Sequence, residues 1–329
     1  MKLAFTGAGY IINIHAQAAN VQKDVDLFAV VNRYSDKAKA LVQKYNIKHH
    51  FETVEQLLEI GGMDALVIGT PNYLHASQAI AALNAGVHVM VEKPMAMNAR
   101  EAFQMLEASQ KSGALLMVAH CWRFDPEVLW LRWQAEAGRL GRIIRTKGYG
   151  VHALWGPSGW FTQKNLAGGG AMADVGVHAI DTARFLLGDP LPKSVYAHIG
   201  TYYTDHEVDD TGILIVNWDC GTVSYIESGW WQPHTDGPEA ATHLYGTVGF
   251  GQVYPTYLLD QSGKEDPGFS YPRINHAPQS LYDDQMKYFI ECIRNHRPPN
   301  PGGQEGWINM KIIDAAYKSS KTGEVIMVE

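Results

Sequence analysis

Short apolar runs alternate with amphipathic, helix-length segments through the first third of the chain. Leu3-Ala4-Phe5, Leu27-Phe28-Ala29-Val30-Val31, Ala65-Leu66-Val67-Ile68, Val89-Met90-Val91 and Leu115–Ala119 are unbroken apolar runs bounded by turn residues. That is the pattern of strands buried on both faces. Between them, Thr53-Val54-Glu55-Gln56 and Asn98-Ala99-Arg100-Glu101 read as capped helix starts, and Leu74–Ala85 as a helix stopped by Gly86. This alternation predicts a doubly wound parallel sheet with right-handed crossovers.

From about residue 120 the pattern changes. Ile143–His152, Ser194–Tyr203, Ile213–Trp218, Thr222–Gly229 and Thr242–Tyr245 are β runs with few helices between them. Asp219-Cys220-Gly221 separates two of these runs as a three-residue hairpin signal. They predict a large, mostly antiparallel open sheet packed on one face, whose other face meets water or a partner subunit. The boundary falls in the aromatic and cationic turn His120–Pro126, giving an α/β chain with a 1–120 domain and a 121–329 domain.

The length of 329 residues suits two domains with separate cores. A formal charge of −7 without a dense Lys/Arg block argues against a nucleic-acid partner. The first apolar run breaks at Gly7, too early for a signal peptide, and no run approaches the roughly eighteen residues of a membrane span. Cys121, Cys220 and Cys292 are widely spaced and odd in number, so neither a CxxC site nor a disulfide framework is implied. A cytoplasmic protein fits these features.

Five stretches and a set of aromatic residues carry chemistry. Gly7-Ala8-Gly9-Tyr10-Ile11-Ile12 follows the first strand and matches the first two glycines of a dinucleotide fingerprint, with Ile12 in place of the third. The second strand ends in Asn32-Arg33-Tyr34-Ser35, without the acid that binds a ribose 2′-hydroxyl in NAD-selective sites. Asn32, Arg33 and Ser35 therefore favour NADP(H), with NAD(H) as the alternative.

Thr70-Pro71-Asn72 and Glu92-Lys93-Pro94 end the third and fourth apolar runs, at the strand ends where such sheets bind ligands. A lysine there is ordinarily a surface residue; in this setting it points at a cofactor. Gly168-Gly169-Gly170 opens a helical stretch that runs to Leu187 and ends at Gly188. On it Asp174, His178 and Asp181 share one face at i, i+4 and i+7. A solvated face is the plain alternative, and a metal site lacks a third ligand; an acid–base pair of Asp174 and His178 suits the sparse polar pattern better. His152, Trp155, Trp160 and Trp230-Trp231 supply rings suited to the faces and edges of a sugar or polyol.

Taken together, Gly7-x-Gly9 with His15, Thr70-Pro71-Asn72-x-x-His75, Glu92-Lys93-Pro94, Arg123-Phe124-x-Pro126 and Gly168-Gly169-Gly170-x-x-x-Asp174-x-Gly176-x-His178-x-x-Asp181 resemble the glucose–fructose oxidoreductase/inositol dehydrogenase (Gfo/Idh/MocA) family. The helix around Gln285–Arg297 and the segment through Gly323 extend the likeness to nearly the whole chain.

The resemblance implies an N-terminal Rossmann domain and a C-terminal α/β domain whose open sheet forms a homodimer or homotetramer. It also implies NAD(P)-dependent oxidation or reduction of sugars, polyols and their derivatives at CH–OH groups. By likeness Lys93 is the active-site lysine, Asp174 its acidic companion and His178 the proton acceptor. Tyr10 and Ile11 then lie in the cofactor turn, with Thr70, Pro71, Asn72, His75 and Glu92 at the strand ends beside it. Trp122, Arg123, Trp160 and Tyr282 lie near the nicotinamide, and Arg123, His152, Trp155 and Trp160 near the substrate. Phe161 stands where some relatives carry Arg, and Ile12 departs from the small third residue of the turn. A glycosidase with a retained dinucleotide and a non-catalytic dinucleotide or sugar sensor remain the competing functions.

Overall fold

A computed structural model describes residues 1–33, 35–235, 237–265 and 278–329, without the side chain of Ser35. By contact the chain forms two units: Met1–Cys121 with Ala277–Trp307, and Trp122–His276 with Ile308–Glu329.

The first unit is built on a six-stranded parallel sheet. Its strands are β1 (Lys2–Thr6), β2 (Asp26–Val31), β3 (His49–Phe51), β4 (Ala65–Ile68), β5 (His88–Val91) and β6 (Leu116–Val118), in the order β3-β2-β1-β4-β5-β6. This is the doubly wound order, and it reverses between β1 and β4. The helices α1 (Tyr10–Asn20), α2 (Ser35–Tyr45), α3 (Val54–Ile60), α4 (His75–Asn84) and α5 (Ala99–Ser112) connect the strands. Two caps form as their sequences suggest. Thr53 Oγ1 accepts from Gln56 N at 3.3 Å, and Asn98 Oδ1 accepts from Glu101 N at 2.9 Å.

β3 is the strand that apolar runs did not announce. It is a three-residue edge strand with two exposed histidines, so it carries no buried run to read.

Chain order alone does not divide the units. The helix following residue 277 buries Leu281, Met286, Phe289, Ile290 and Ile293, and it packs along α1. Gln279 and Gln22 donate across that pairing to the carbonyls of Ile14 and Asp283. A stretch late in the chain therefore completes the nucleotide-type sheet domain.

The second unit contains α6 (Pro126–Glu136), α7 (Lys164–Ala167) and α8 (Val177–Leu186), with α9 (Gln279–Arg294) being the helix just described. The last helix, α10 (Gly303–Thr322), is divided between the units after Trp307. The sheet of the second unit has eight strands: β7 (Ile143–Ala153), β8 (Pro192–Gly200), β9 (Thr211–Trp218), β10 (Val223–Gln232), β11 (Ala240–Gly246), β12 (Gly249–Val253), β13 (Tyr257–Asp260) and β14 (Ile326–Met327). Their order is β13-β12-β11-β7-β10-β9-β8-β14.

All pairings are antiparallel except β10 with β7, which is parallel. The Asp219–Gly221 hairpin forms as expected, with Trp218 N donating to Thr222 O at 3.0 Å. One sheet face is covered by α8 and the turn before it. A Cβ on Gly148 or Gly150 would press on Ala179 or Val175 there. The opposite face leaves Tyr196, Ile213 and Ile215 exposed. Among the described residues no helix is long and apolar enough to cross a membrane.

Candidate active site

In the first unit, the glycine turn between β1 and α1 is set by close packing below and open space above. Gly7 has φ +94°, and a Cβ there would lie 2.7 Å from the Gly69 carbonyl oxygen. Gly9 is the N-cap of α1 and has nothing within 4 Å of its Cβ direction. Among the described residues no side chain caps this helix, and no acid sits in its first turn, so its amides present the positive dipole end to that space. Ile12 is fully buried, and a Cβ on Gly69 would fall 2.6 Å from its Cδ1. The missing third glycine is thus balanced by a glycine at the end of β4, and the Ile12 side chain turns into the interior.

At the ends of β1 and β4, Thr6 and Thr70 hydroxyls both donate to Gln78 Oε1, at 2.8 and 3.0 Å. Asn72 is buried, whereas Thr70 and Pro71 are half-buried. Tyr10 and Arg33 are exposed, and Ile11 and Asn32 are half-buried. The Asn32 carbonyl faces His50 Nε2 at 2.9 Å. The side chain of Ser35 lies outside the described residues.

β5 ends in the Glu92-Lys93-Pro94 turn. From Val89 to Ala96 every residue is buried except Lys93. Glu92 Oε1 lies 2.7 Å from His15 Nε2, and Glu92 Oε2 accepts from the Lys93 amide at 3.2 Å. His75 has its Nδ1 3.0 Å from the Pro94 carbonyl and its Nε2 2.9 Å from the Thr70 carbonyl. Burial holds this imidazole below the ordinary histidine range, against the pull of those two carbonyls and of Glu92. Tyr282 on α9 sets its ring edge-on to His15 at 5.8 Å. Its phenol is hydrogen-bonded to Cys121, which together with burial and Glu92 pushes it well above the usual tyrosine range.

In the second unit, the marked helix starts as a π turn, Met172–Gly176, and continues as α8. Isolated π turns recur at functional sites. The extra residue per turn falls between Gly170 and His178, so the i, i+4, i+7 face of a regular helix is altered at its start. From Ala171 to Leu186 every residue is buried except Asp174 and His178. Trp122 stacks on the His178 ring at 4.8 Å with 24° between planes, and Tyr254 meets Trp122 edge-on at 6.1 Å.

Two family models match the chain. Residues 1–120 match the oxidoreductase family with an NAD-binding Rossmann fold, and residues 128–250 match the GFO/IDH/MocA C-terminal domain. A 4-carboxy-2-hydroxymuconate-6-semialdehyde dehydrogenase of Sphingobium sp. (strain NBRC 103272 / SYK-6) is 33% identical over 91% of this chain and 92% of its own length. The chain belongs to the Gfo/Idh/MocA oxidoreductase family. A D-glucoside 3-dehydrogenase of Escherichia coli (strain K12) is 27% identical, covering 98% of this chain and 96% of its own. In fold, the chain is similar to levoglucosan dehydrogenase in complex with NADH, with TM-score 0.90 and 21% identity over 100% of this chain and 99% of the other.

The glycine turn fits the dinucleotide of a Gfo/Idh/MocA enzyme: its open, uncapped helix N-terminus has the room and the free amides that a pyrophosphate takes. Several other candidate residues have partners inside the fold.

Arg123 is buried and donates from Nε and Nη2 to both Asp181 oxygens at 2.8 Å, and from Nη1 to Asp189 at 3.2 Å. Burial works against its charge, but Asp181 and Asp189 outweigh that and hold it above the usual range. It anchors α8 rather than presenting its guanidinium to a ligand. Asp181, also bound by Asn309 at 2.8 Å, accordingly does not share an exposed face with Asp174 and His178. His75 likewise has both ring nitrogens on backbone carbonyls.

The aromatic residues divide. Trp230 is core, packed with Ala171, Val175 and Val208, and Trp231 lies against that cluster. His152 stacks on Trp155 at 3.7 Å, and Trp155 Nε1 donates to the Glu239 carboxylate. Trp160 stacks on Phe161 at 3.9 Å and remains half-buried.

Sequence analysis missed the support of the glycine entry. Asp209 accepts from Gly170 N and Met172 N at 2.8 Å each and from Tyr317 OH at 2.7 Å. Burial raises its carboxyl, opposed by those three donors. Asp209 and Tyr317 lie far along the chain, and no local motif marks them.

Proposed function

We propose that this protein is an NAD(P)-dependent dehydrogenase/reductase acting at a carbinol or ketone carbon of a cyclic sugar, polyol or sugar derivative. The observation that carries the reading is selective exposure. In two otherwise buried segments the only residues left partly open are Lys93 in one and Asp174 and His178 in the other. Burying their neighbours while leaving an amine, a carboxylate and an imidazole accessible suits proton chemistry on a bound hydroxyl.

A bound nicotinamide dinucleotide supplies the hydride acceptor or donor. On oxidation His178 takes the hydroxyl proton, and Asp174 orients the imidazole or a second hydroxyl. Lys93, as an ammonium, stabilises negative charge developing on the oxygen. In the reductive direction His178 returns the proton. NADP(H) is the favoured cofactor: β2 is followed by Asn32 and exposed Arg33, with no acid there for a ribose 2′-hydroxyl. Trp160, Trp155 and His152 are the aromatic residues offered to the sugar in this reading.

Sugars and polyols screened with NAD and NADP, followed by nicotinamide absorbance in both directions, test this reading. Lys93→Met and His178→Asn are each expected to lower turnover by about 10²–10⁴-fold while dinucleotide affinity changes little. Near-normal turnover in either variant overturns the assignment. The uncovered face of the eight-stranded sheet is proposed to pair with further copies as a homodimer or homotetramer. Sedimentation of wild type against Ile213→Lys, which should shift toward monomer, checks this.

A further inference from the structure

We propose that His15 and His75 are positioning residues for Lys93, His15 through the Glu92 carboxylate and His75 through the Pro94 carbonyl. The inference rests on the reading of Lys93 as the ammonium that meets the substrate oxygen, and it adds what holds that ammonium.

The last rung linking the Glu92 backbone to β4 is Glu92 N donating to Ile68 O, where β4 stops. Beyond that rung the Lys93 amide has no strand beside it, and the Glu92 carboxylate takes the strand's place through Oε2. A carboxylate can hold an amide in place only if it is itself held. Oε1 is secured by His15 Nε2 at 2.7 Å, and the His15 ring is braced edge-on by Tyr282. Both members of this pair are buried, so the contact is short, little screened and unable to swing into solvent.

On the other side of Lys93, Pro94 has no N–H to offer, and its carbonyl is bound by His75 Nδ1. The same ring sets its Nε2 2.9 Å from the Thr70 carbonyl; a neutral imidazole donates through only one nitrogen, and that proton is assigned to Nδ1, the contact beside Lys93. The residues on either side of Lys93 are thus each gripped by a buried histidine, one from α1 and one from α4.

Neither imidazole is exposed, so neither can exchange a proton with a substrate. What they control is where the Lys93 side chain begins. A displacement of about 1 Å at a reacting group costs on the order of 10²-fold in rate.

The test uses the full chain. In His15→Leu and His75→Leu, kcat is expected to fall by about 10–10²-fold, while dinucleotide affinity stays within about threefold. Labelling of Lys93 by an amine-reactive reagent, quantified by peptide mass, should change in rate while other lysines are unaffected. The amide variants give the sharper reading. Asn places its donor near the imidazole Nδ1 position and Gln near Nε2. His75→Asn keeps a donor to Pro94, whereas His75→Gln moves the donor to Thr70, so His75→Asn should retain more turnover and a more native Lys93 labelling rate. His15→Gln should recover most of what His15→Leu loses.

Equal behaviour of His75→Asn and His75→Gln overturns the inference for His75. Folded Leu variants with kcat and Lys93 labelling within about twofold of wild type overturn it entirely. If the Leu variants do not fold, the Asn and Gln pair decides. If wild type turns over no sugar or polyol, the functional reading fails on its own, and the labelling comparison still decides whether these histidines place Lys93.

Discussion

The contact between Ile12 and Gly69 makes a quantitative prediction about why this dinucleotide turn lacks its third glycine. Ile12→Ala empties a fully buried site, for which the expected cost is about 2–5 kcal/mol. Gly69→Ala adds a Cβ 2.6 Å from Ile12 Cδ1 and 2.8 Å from Cγ1. Those separations fall about 1 Å inside the ~3.5–4.0 Å optimum for carbon pairs. The overpacking should cost about 1–3 kcal/mol.

The double variant places the new methyl where the isoleucine was trimmed. It should therefore be more stable than the sum of the singles, by about 0.5–3 kcal/mol. Urea unfolding followed by far-UV circular dichroism, with the four midpoints compared at one slope, measures the coupling. Dinucleotide affinity by fluorescence titration supplies the second half of the test. Because Ile12 faces Gly69 and the interior, trimming it should leave affinity within about threefold. Additive singles, or a dinucleotide bound more than about tenfold tighter by Ile12→Ala, would refute the claim that Gly69 compensates for the lost glycine.

Two further outcomes follow from other contacts. Gly170→Ala puts a Cβ 1.9 Å from the Asp209 carbonyl oxygen, a backbone atom that cannot swing aside, so the entry to the π turn must move. Thermal unfolding should show a loss of about 2–3 kcal/mol, and turnover should fall far more than dinucleotide affinity does. His75 gives a pH signature. Its folded pKa lies below the ordinary value of about 6.5, so the stability it contributes is present above that pH and lost as pH falls through the folded value. Wild type minus His75→Asn, compared by unfolding midpoints from pH 8 to pH 5, should therefore shrink toward the acid end; a flat difference contradicts the depressed pKa.

Much of this arrangement is visible in the chain, and the exceptions have physical causes. Strands such as Ala65–Ile68 and His88–Val91 are buried on both faces, so their apolar runs stand out. His49–Phe51 lies at a sheet edge with polar, exposed residues, and Gly249–Val253 carries two glycines in five positions, so neither shows a strand pattern.

The partial exposure of Lys93, Asp174 and His178 in buried segments matches the way each stands out chemically from an apolar local background in the sequence. The ion pairs of Arg123 left no local mark because its partners Asp181 and Asp189 lie 58 and 66 positions away. The support of the π turn's entry also left no mark, since Asp209, which accepts from Gly170 and Met172, lies far along the chain.

The selective exposure of Lys93, Asp174 and His178 has a consequence for how this chain tolerates change. Elsewhere in Val89–Ala96 and Ala171–Leu186 a substitution disturbs packing, so the variants lost to function there should also be lost to folding. At the three partly open positions the two can part: a substitution that removes the proposed chemistry can leave a well-folded protein. In a library scored separately for abundance and for turnover, these positions should form a small group of abundant, inactive variants set in two stretches where abundance and activity fall together.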